Sequence, residues 1–180
     1  MMKRNCNYQT IRTYKSIALL WIFLFGHILP STLYAAPSVQ TEITALNPNV
    51  GTQIQQNGNI YDVTTTKTYG VSGINHFDKY NVGSIDTVNM HIPQGKDALV
   101  NFIHGGRSDI YGIVNSIKEG KIGGNIYFAN SDGIVVSNSG VINAGAIHLS
   151  TPTRQFIQDA LNNPGGHLEL LQQNNFPISA

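Results

Sequence analysis

KIGGNIYFANSDGIVVSNSGVINAGAIHLST, residues Lys121–Thr151, is the stretch that decides the fold class. Short β-branched or aromatic runs are cut every few residues by Gly, Asn, Ser or Asp. No run is long enough for a helix, and the punctuation recurs at nearly even spacing. Such a pattern suits a chain coiling through stacked short strands, not a hairpin sheet of a few long ones. An all-β solenoid is the expected fold.

Outward from this stretch, the first 36 residues read as an export signal. Lys3, Arg4, Arg12 and Lys15 form a basic head, and Ile17–Leu29 is an apolar run in which His27 is the one strongly polar member. Pro30 and Ser31 break the run, and Ala35-Ala36 offers a small-residue exit, so cleavage is expected after Ala35 or Ala36. The run is shorter than the roughly 20 residues of a spanning helix, so the inner membrane is touched only through the cleaved leader. Four of the 11 Lys and Arg residues lie in 1–36 and none of the 10 Asp and Glu residues does, which leaves a net charge of −3 on the remainder. Nucleic acid is a poor partner for such a chain, because its phosphates need a concentrated positive face. The only cysteine, Cys6, leaves with the leader, so stability must come from backbone ladders and stacked apolar side chains, without disulfides.

Along the remainder, Glu42–Leu46 reads as a weak strand in a polar segment, followed by the Asn47-Pro48-Asn49 turn. Asn59–Tyr69, Thr87–Ile92, Ala98–Ile103 and Ile110–Ile117 read as strands on β-branched content or period-two alternation. Ile74–Val82 places Phe77 and Tyr80 near a short connection. Asn101, Asn125 and Asn143 recur roughly every 20 residues, which suits coils of about that length. Asn at repeated bends can bond to its counterpart one rung away or simply tolerate left-handed turn geometry, and the sequence leaves both readings open. Beyond Thr151 the character changes. Thr151 as cap, Pro152 at the first helical position and Phe156, Ile157, Ala160 and Leu161 on one side predict a helix of about nine residues, stopped by Asn162–Gly166. Leu168–Leu171 resumes an apolar run. No closing element follows, and a solenoid needs a cap at each end, so the chain is expected to be a fragment or truncation of a longer one. The expected organisation is a signal peptide at 1–36, a β-helix domain at 37–153, and a short helix with the start of a continuation at 154–180.

Catalytic and cofactor signatures are weak. His76, His91, His104, His148 and His167 show no metal-ligand spacing. Val136-Ser137-Asn138-Ser139-Gly140 lacks the first glycine of a nucleophile elbow. Gly105-Gly106-Arg107 and Gly123-Gly124-Asn125 open no helix that would hold a phosphate. Asp78, Asp86, Asp97, Asp109 and Asp132 sit near turns, where Asp is expected in any case. The expectation is a non-enzyme without cofactor or metal.

Three segments carry a resemblance: Gly73-Ile74-Asn75-His76-Phe77-Asp78-Lys79-Tyr80-Asn81-Val82, Ser108-Asp109-Ile110-Tyr111-Gly112, and Ala129-Asn130-Ser131-Asp132-Gly133-Ile134. In this order they resemble the N-terminal haemagglutination-activity, or two-partner secretion, domain of filamentous-haemagglutinin-like exoproteins, over about residues 40–153. The family's Asn-Pro-Asn-Gly turn stands here as Asn130-Ser131-Asp132-Gly133, without the proline, and its Asn-Pro-Asn-Leu element is missing. The resemblance implies a right-handed parallel β-helix. It also implies export through the periplasm to the cell surface or medium by a partner outer-membrane barrel whose periplasmic domains bind this domain. On this reading the chain is the secretion domain of an adhesin-like exoprotein and nucleates β-helix folding. Asn130, Ser131, Asp132 and Gly133, with Asn75, Phe77, Tyr80 and Asn81, would form the recognition and turn motif. Two alternatives stand beside it. One is a module binding carbohydrate, haem or a host surface through Tyr61, Tyr69, Tyr111 and Tyr127. The other is a β-helix polysaccharide-cleaving enzyme, which would need convergent carboxylates.

Overall fold

Backbone groups of a short strand need a neighbour on each side, and here the chain supplies that neighbour by winding past itself. The computed structural model describes residues 39–178, so the expected signal helix and its cleavage bond lie outside the described residues. The strands are β1 (Glu42–Ala45), β2 (Thr52–Asn57), β3 (Ile60–Thr65), β4 (Thr68–Tyr69), β5 (Ser72–Asn81), β6 (Thr87–His91), β7 (Ala98–Ile103), β8 (Ser108–Ile110), β9 (Ile113–Lys118), β10 (Lys121–Ile122), β11 (Asn125–Asn130), β12 (Ile134–Val136), β13 (Val141–Asn143) and β14 (Ala146–Ser150). Two helices follow, α1 (Arg154–Asp159) and α2 (Pro164–Gln172).

The result is a β-solenoid of about three turns. On one face β5, β7, β11 and β14 stack in parallel; on a second, β3, β6, β9 and β13 do the same. A third, narrow face pairs β8 with β12, and a single bridge from Val82 to Ile110 extends it. At the start of the coil the pairing turns antiparallel. β1 runs against β5, and β2 against β3 as a hairpin. These two strands cover the edges that the first rung would otherwise leave open.

Side chains stack in the same register. On the outer face of the second sheet, Asn143 Nδ2 donates to Asn115 Oδ1 (2.9 Å), Asn115 Nδ2 to Asn89 Oδ1 (3.0 Å), and Asn89 Nδ2 to Asp62 Oδ1 (3.1 Å). These contacts span 28, 26 and 27 residues, so a coil is longer than the roughly 20 residues that Asn101, Asn125 and Asn143 suggest. Those three asparagines do not stack on one another: Asn125 lies beside Ala98, and Asn101 beside Phe128. Loops of unequal length hide the true period. The β9–β10 excursion turns at Glu119-Gly120, whereas the last described part of the coil passes from β13 to β14 with only Ala144 and Gly145 between. Stacking of asparagines is nevertheless real. A second, interior pair joins Asn75 Nδ2 to Asn101 Oδ1 (3.0 Å), and Asn101 Nδ2 continues to the Tyr127 carbonyl (3.0 Å).

Inside the coil, Phe77, Tyr80, Val88, Met90, Leu99, Ile103, Val114, Ile126 and Phe128 form one cluster. Outside it, Ile74, Val100, Phe102 and Ala129 on the first sheet meet Phe156, Ile157, Ala160, Leu168 and Leu171 of the helical segment. That sheet is therefore apolar on both faces, which is why β7 is buried at every position.

Several local expectations are corrected. Ile74–Asn81 belongs to the ten-residue strand β5 and is not a short connection, while Val82 just beyond it forms an isolated bridge with Ile110. The expected strand Ile110–Ile117 is broken at Tyr111-Gly112, where the chain turns a corner. A Cβ on Gly112 would lie 2.2 Å from the Gly83 carbonyl, so only glycine lets the two rungs approach. Instead of one helix there are two. Thr153, not Thr151, caps α1 by accepting from the Phe156 N–H, while Pro152 forms a β-bridge with Ile178. Asn163 and Pro164, read as a stop, begin α2, with the Asn163 side chain accepting from the Gly166 N–H.

The two amide columns differ in burial, and this yields a prediction. Asn101→Leu strands the Asn75 amide and the Tyr127 carbonyl in the interior and should cost about 1–3 kcal/mol. Asn115→Leu, on the partly exposed outer face, should cost less. Urea denaturation of the two variants measures the difference.

Candidate functional site: a stacked corner

The three motif segments lie far apart in sequence, and the coil brings them to one corner. Ser108–Ile110 sits between Asn81-Val82 on one side and the Asn130–Val136 turn and strand on the other. Asn81 Oδ1 accepts from the Asp109 N–H (3.0 Å), and Val82 bridges Ile110. Across the next step, β12 pairs with β8 from Ile134–Ser108 to Val136–Ile110.

Asn130, at the end of β11, is 1% exposed, and its amide is fully used. Nδ2 donates to the Gly106 carbonyl and to Ser108 Oγ, both at 2.9 Å, and Oδ1 accepts from the Asp132 N–H at 2.9 Å. Asp132 Oδ2 accepts from the Gly106 N–H (3.1 Å), and its Oδ1 pairs with the Arg154 guanidinium at the start of α1. Gly133 has φ +96°, a conformation that a side chain would strain, and its carbonyl accepts from the Ser108 N–H (3.0 Å). The turn thus clamps the rung before it and anchors the helical segment after it. The missing proline is offset by these bonds: the Asn130 side chain makes the Asx-type closure by accepting from the Asp132 N–H, and so Asn130, where Asp132 was expected to close the turn, holds the bend. Ser131 lies at the partly exposed crest.

The other candidate residues are placed inward. Asn75, Phe77 and Tyr80 are 0% exposed. The Phe77 and Tyr80 rings meet edge to face with centroids 5.1 Å apart, and the Tyr80 ring meets Phe128 at the same distance. The Tyr80 hydroxyl reaches only the Met90 sulfur (3.4 Å), and burial pushes its ionisation well above the usual phenol range. Asn75 Oδ1 is buried without a partner among the described residues. These groups shape the corner from within. A partner approaching it would meet Ser131 and the ion-paired Arg107–Asp109 and Asp132–Arg154.

Beside the corner lies a histidine pair that the sequence pattern did not single out. His76 Nδ1 and His104 Nε2 are 3.0 Å apart on adjacent rungs, and His76 stacks on Phe102 with centroids 5.2 Å apart. Burial first, then the charge of His104, pulls the His76 pKa down to about 3. Burial lowers His104 too, opposed by the Asp78 carboxylate. Their separation of 28 residues is one coil, as in the amide column. A search for like residues 26–28 apart would find both, but that interval is known only once the register is known.

The alternative sites do not assemble. Tyr61 packs against the interior cluster, Tyr69 is in β4, Tyr111 is at the corner, and Tyr127 lies on the outer first sheet against His148. They form no common platform for a sugar. Asp86, Asp97, Asp109 and Asp132 each bond a different partner: Thr41, Lys118, Arg107 and Arg154. Among the described residues, no group of three or more His, Cys, Asp and Glu is placed to hold a metal ion. No family model, curated protein or solved structure matches the chain.

The histidine pair gives a pH prediction. A folded pKa below 6.5 means that the folded state resists protonation. Its stability is therefore complete above pH 6.5 and declines as pH falls toward 3, by up to ~1.4 kcal/mol per pH unit for His76, with the more solvated His104 acting in the same direction. Melting temperatures measured from pH 7 to pH 4 should fall, and His76→Phe should flatten the profile.

Proposed function

We propose that this chain is an N-terminal secretion domain of an adhesin-like exoprotein. On this reading it is exported to the periplasm, recognised there by the periplasmic domains of an outer-membrane barrel, and the start of a β-helix that grows by adding rungs. The observation that carries the reading is the stacked corner. Three segments with no local connection, each quoted above for its resemblance to secretion domains, converge there and bond to one another through Asn81, Asp109, Ser108 and Asn130. The parallel coil supports it as well, because each added rung buries apolar side chains against the previous one and so makes outward passage downhill.

The partner would bind the outside of the corner, while the inside holds its shape. This division sets the test. Arg107→Glu and Ser131→Arg change exposed groups and should leave stability within ~1 kcal/mol. In cells that also carry a partner outer-membrane barrel, each should reduce surface delivery about tenfold, equivalent to ~1.4 kcal/mol of lost recognition. Asn130→Ala should lower delivery and melting temperature together. Normal delivery of both surface variants, or delivery in cells without the barrel, would defeat the proposal.

A further inference from the structure

A cleft of about 280 Å³ opens where the link between α1 and α2 comes against the first sheet. That size is at the small end for ligand-binding clefts. Part of its lining is apolar, from Val50, Ile74, Leu161 and Pro164. The rest is polar, from Asn49, Lys67, Thr68 and His76, and no Asp or Glu lines it.

The fold holds these polar residues in place without using their side chains in full. The Lys67 N–H donates to Thr65 Oγ1 (3.1 Å), and its carbonyl accepts from the Ile74 N–H (2.9 Å). Its stem lies against Gly51, at φ +81°, where a Cβ would come within 2.6 Å of the Lys67 Cγ. The Lys67 ammonium meets no carboxylate among the described residues, whereas Lys79, Arg107, Lys118 and Arg154 each meet one. The Asn49 side-chain amide and the Thr68 hydroxyl also bond to nothing among the described residues. His76 is 5% exposed, and its Nδ1 is taken by His104 Nε2. Its Nε2 has no partner among the described residues yet is not sealed: it still reaches open space, and the space beside His76 is this cleft.

We propose that this cleft binds a small organic monocarboxylate, its carboxylate between the Lys67 ammonium and the His76 ring and its apolar end on Ile74 and Leu161. One lysine without a counter-charge balances one carboxylate. Inorganic phosphate would bring more charge than Lys67 offsets and no apolar surface for Val50 and Ile74. The histidine pair supplies the second donor. An anion beside His76 selects the arrangement in which His104 Nε2–H donates to His76 Nδ1, which puts the one ring proton of His76 on Nε2. The opposite arrangement would set a lone pair against the anion. Burial holds His76 neutral, so the charge in the cleft is that of Lys67. The inference does not rest on the export reading.

The test titrates the purified, isotope-labelled protein near neutral pH with sodium pentanoate, pentanamide and inorganic phosphate in separate series. Nuclear magnetic resonance reads the His76 ring nitrogens and the backbone amides of Thr68 and Leu161. Pentanoate should shift all three saturably, and bound His76 should carry its proton on Nε2. Pentanamide keeps the length without the charge, and phosphate keeps the charge without the apolar end; each should bind about tenfold more weakly. Lys67→Met should weaken pentanoate about tenfold, and Lys67→Arg should retain it. Lys67 is exposed, so both variants should melt at the temperature of the parent. No saturable shift with pentanoate, or equal affinity in Lys67→Met, would overturn the site. Pentanamide binding as tightly as pentanoate would overturn the anion, phosphate doing so would overturn the carboxylate, and a bound His76 protonated on Nδ1 would overturn the part given to the pair. No transporter enters the experiment, so its outcome is separate from that of the delivery test.

Discussion

Contact between one coil and the next, 26–28 residues along the chain, is the constraint on which everything else depends. It satisfies the backbone of strands as short as three residues, which have no stability alone. It also lines up like side chains, so that an amide placed once finds a partner when placed again at the same point of the coil. The cost of burying Asn75 and Asn101 is offset in part this way: the bond between them satisfies one donor and one acceptor that would each be expensive if left alone. Continuous pairing further explains how a segment with no described disulfide holds its shape.

The two ends of the coil are built differently. At the start, antiparallel β1 and β2 close the edges, and Thr52 Oγ1 accepts from the His76 N–H, so the first rung of the first sheet is held from outside the coil. At the other end, among the described residues, β12, β13 and β14 pair with a strand on one side only. This asymmetry gives the domain a direction. The helical segment does not blur it, since its apolar side chains are spent on the flank of the first sheet. One ion pair, Arg154 with Asp132, ties that segment to the turn at the corner, so the features that define the corner also position the flank.

His76 and His104 share one hydrogen bond under the apolar cover, and neither can take a proton without leaving a charge in a poorly solvated place. On the opposite sheet, the hydrogen bond from His91 holds the Asp62 carboxyl below its ordinary range, against the pull of partial burial. Acid therefore acts on the two faces in separate windows, on the covered sheet first and on the amide column only near the carboxylate range.

Much of this was legible in the residues. Glycine and asparagine between short β-branched runs exclude helices and long strands by local chemistry alone, so the solenoid class and the strands Thr87–His91 and Ala98–Ile103 could be read directly. The order of the three motif segments was legible too. Their convergence was not, because it depends on a coil length that the β9–β10 excursion and the two-residue passage before β14 disguise. The inward placement of Asn75, Phe77 and Tyr80 was hidden for a related reason: a strand with both faces buried loses the alternation that marks its sides. Even Asn163-Pro164 can end one helix or begin the next, and only the packing of Leu168 and Leu171 against the sheet chose the second. Local preference determined what each segment can be; which segments meet was decided by the register of the coil, a property that no single segment contains.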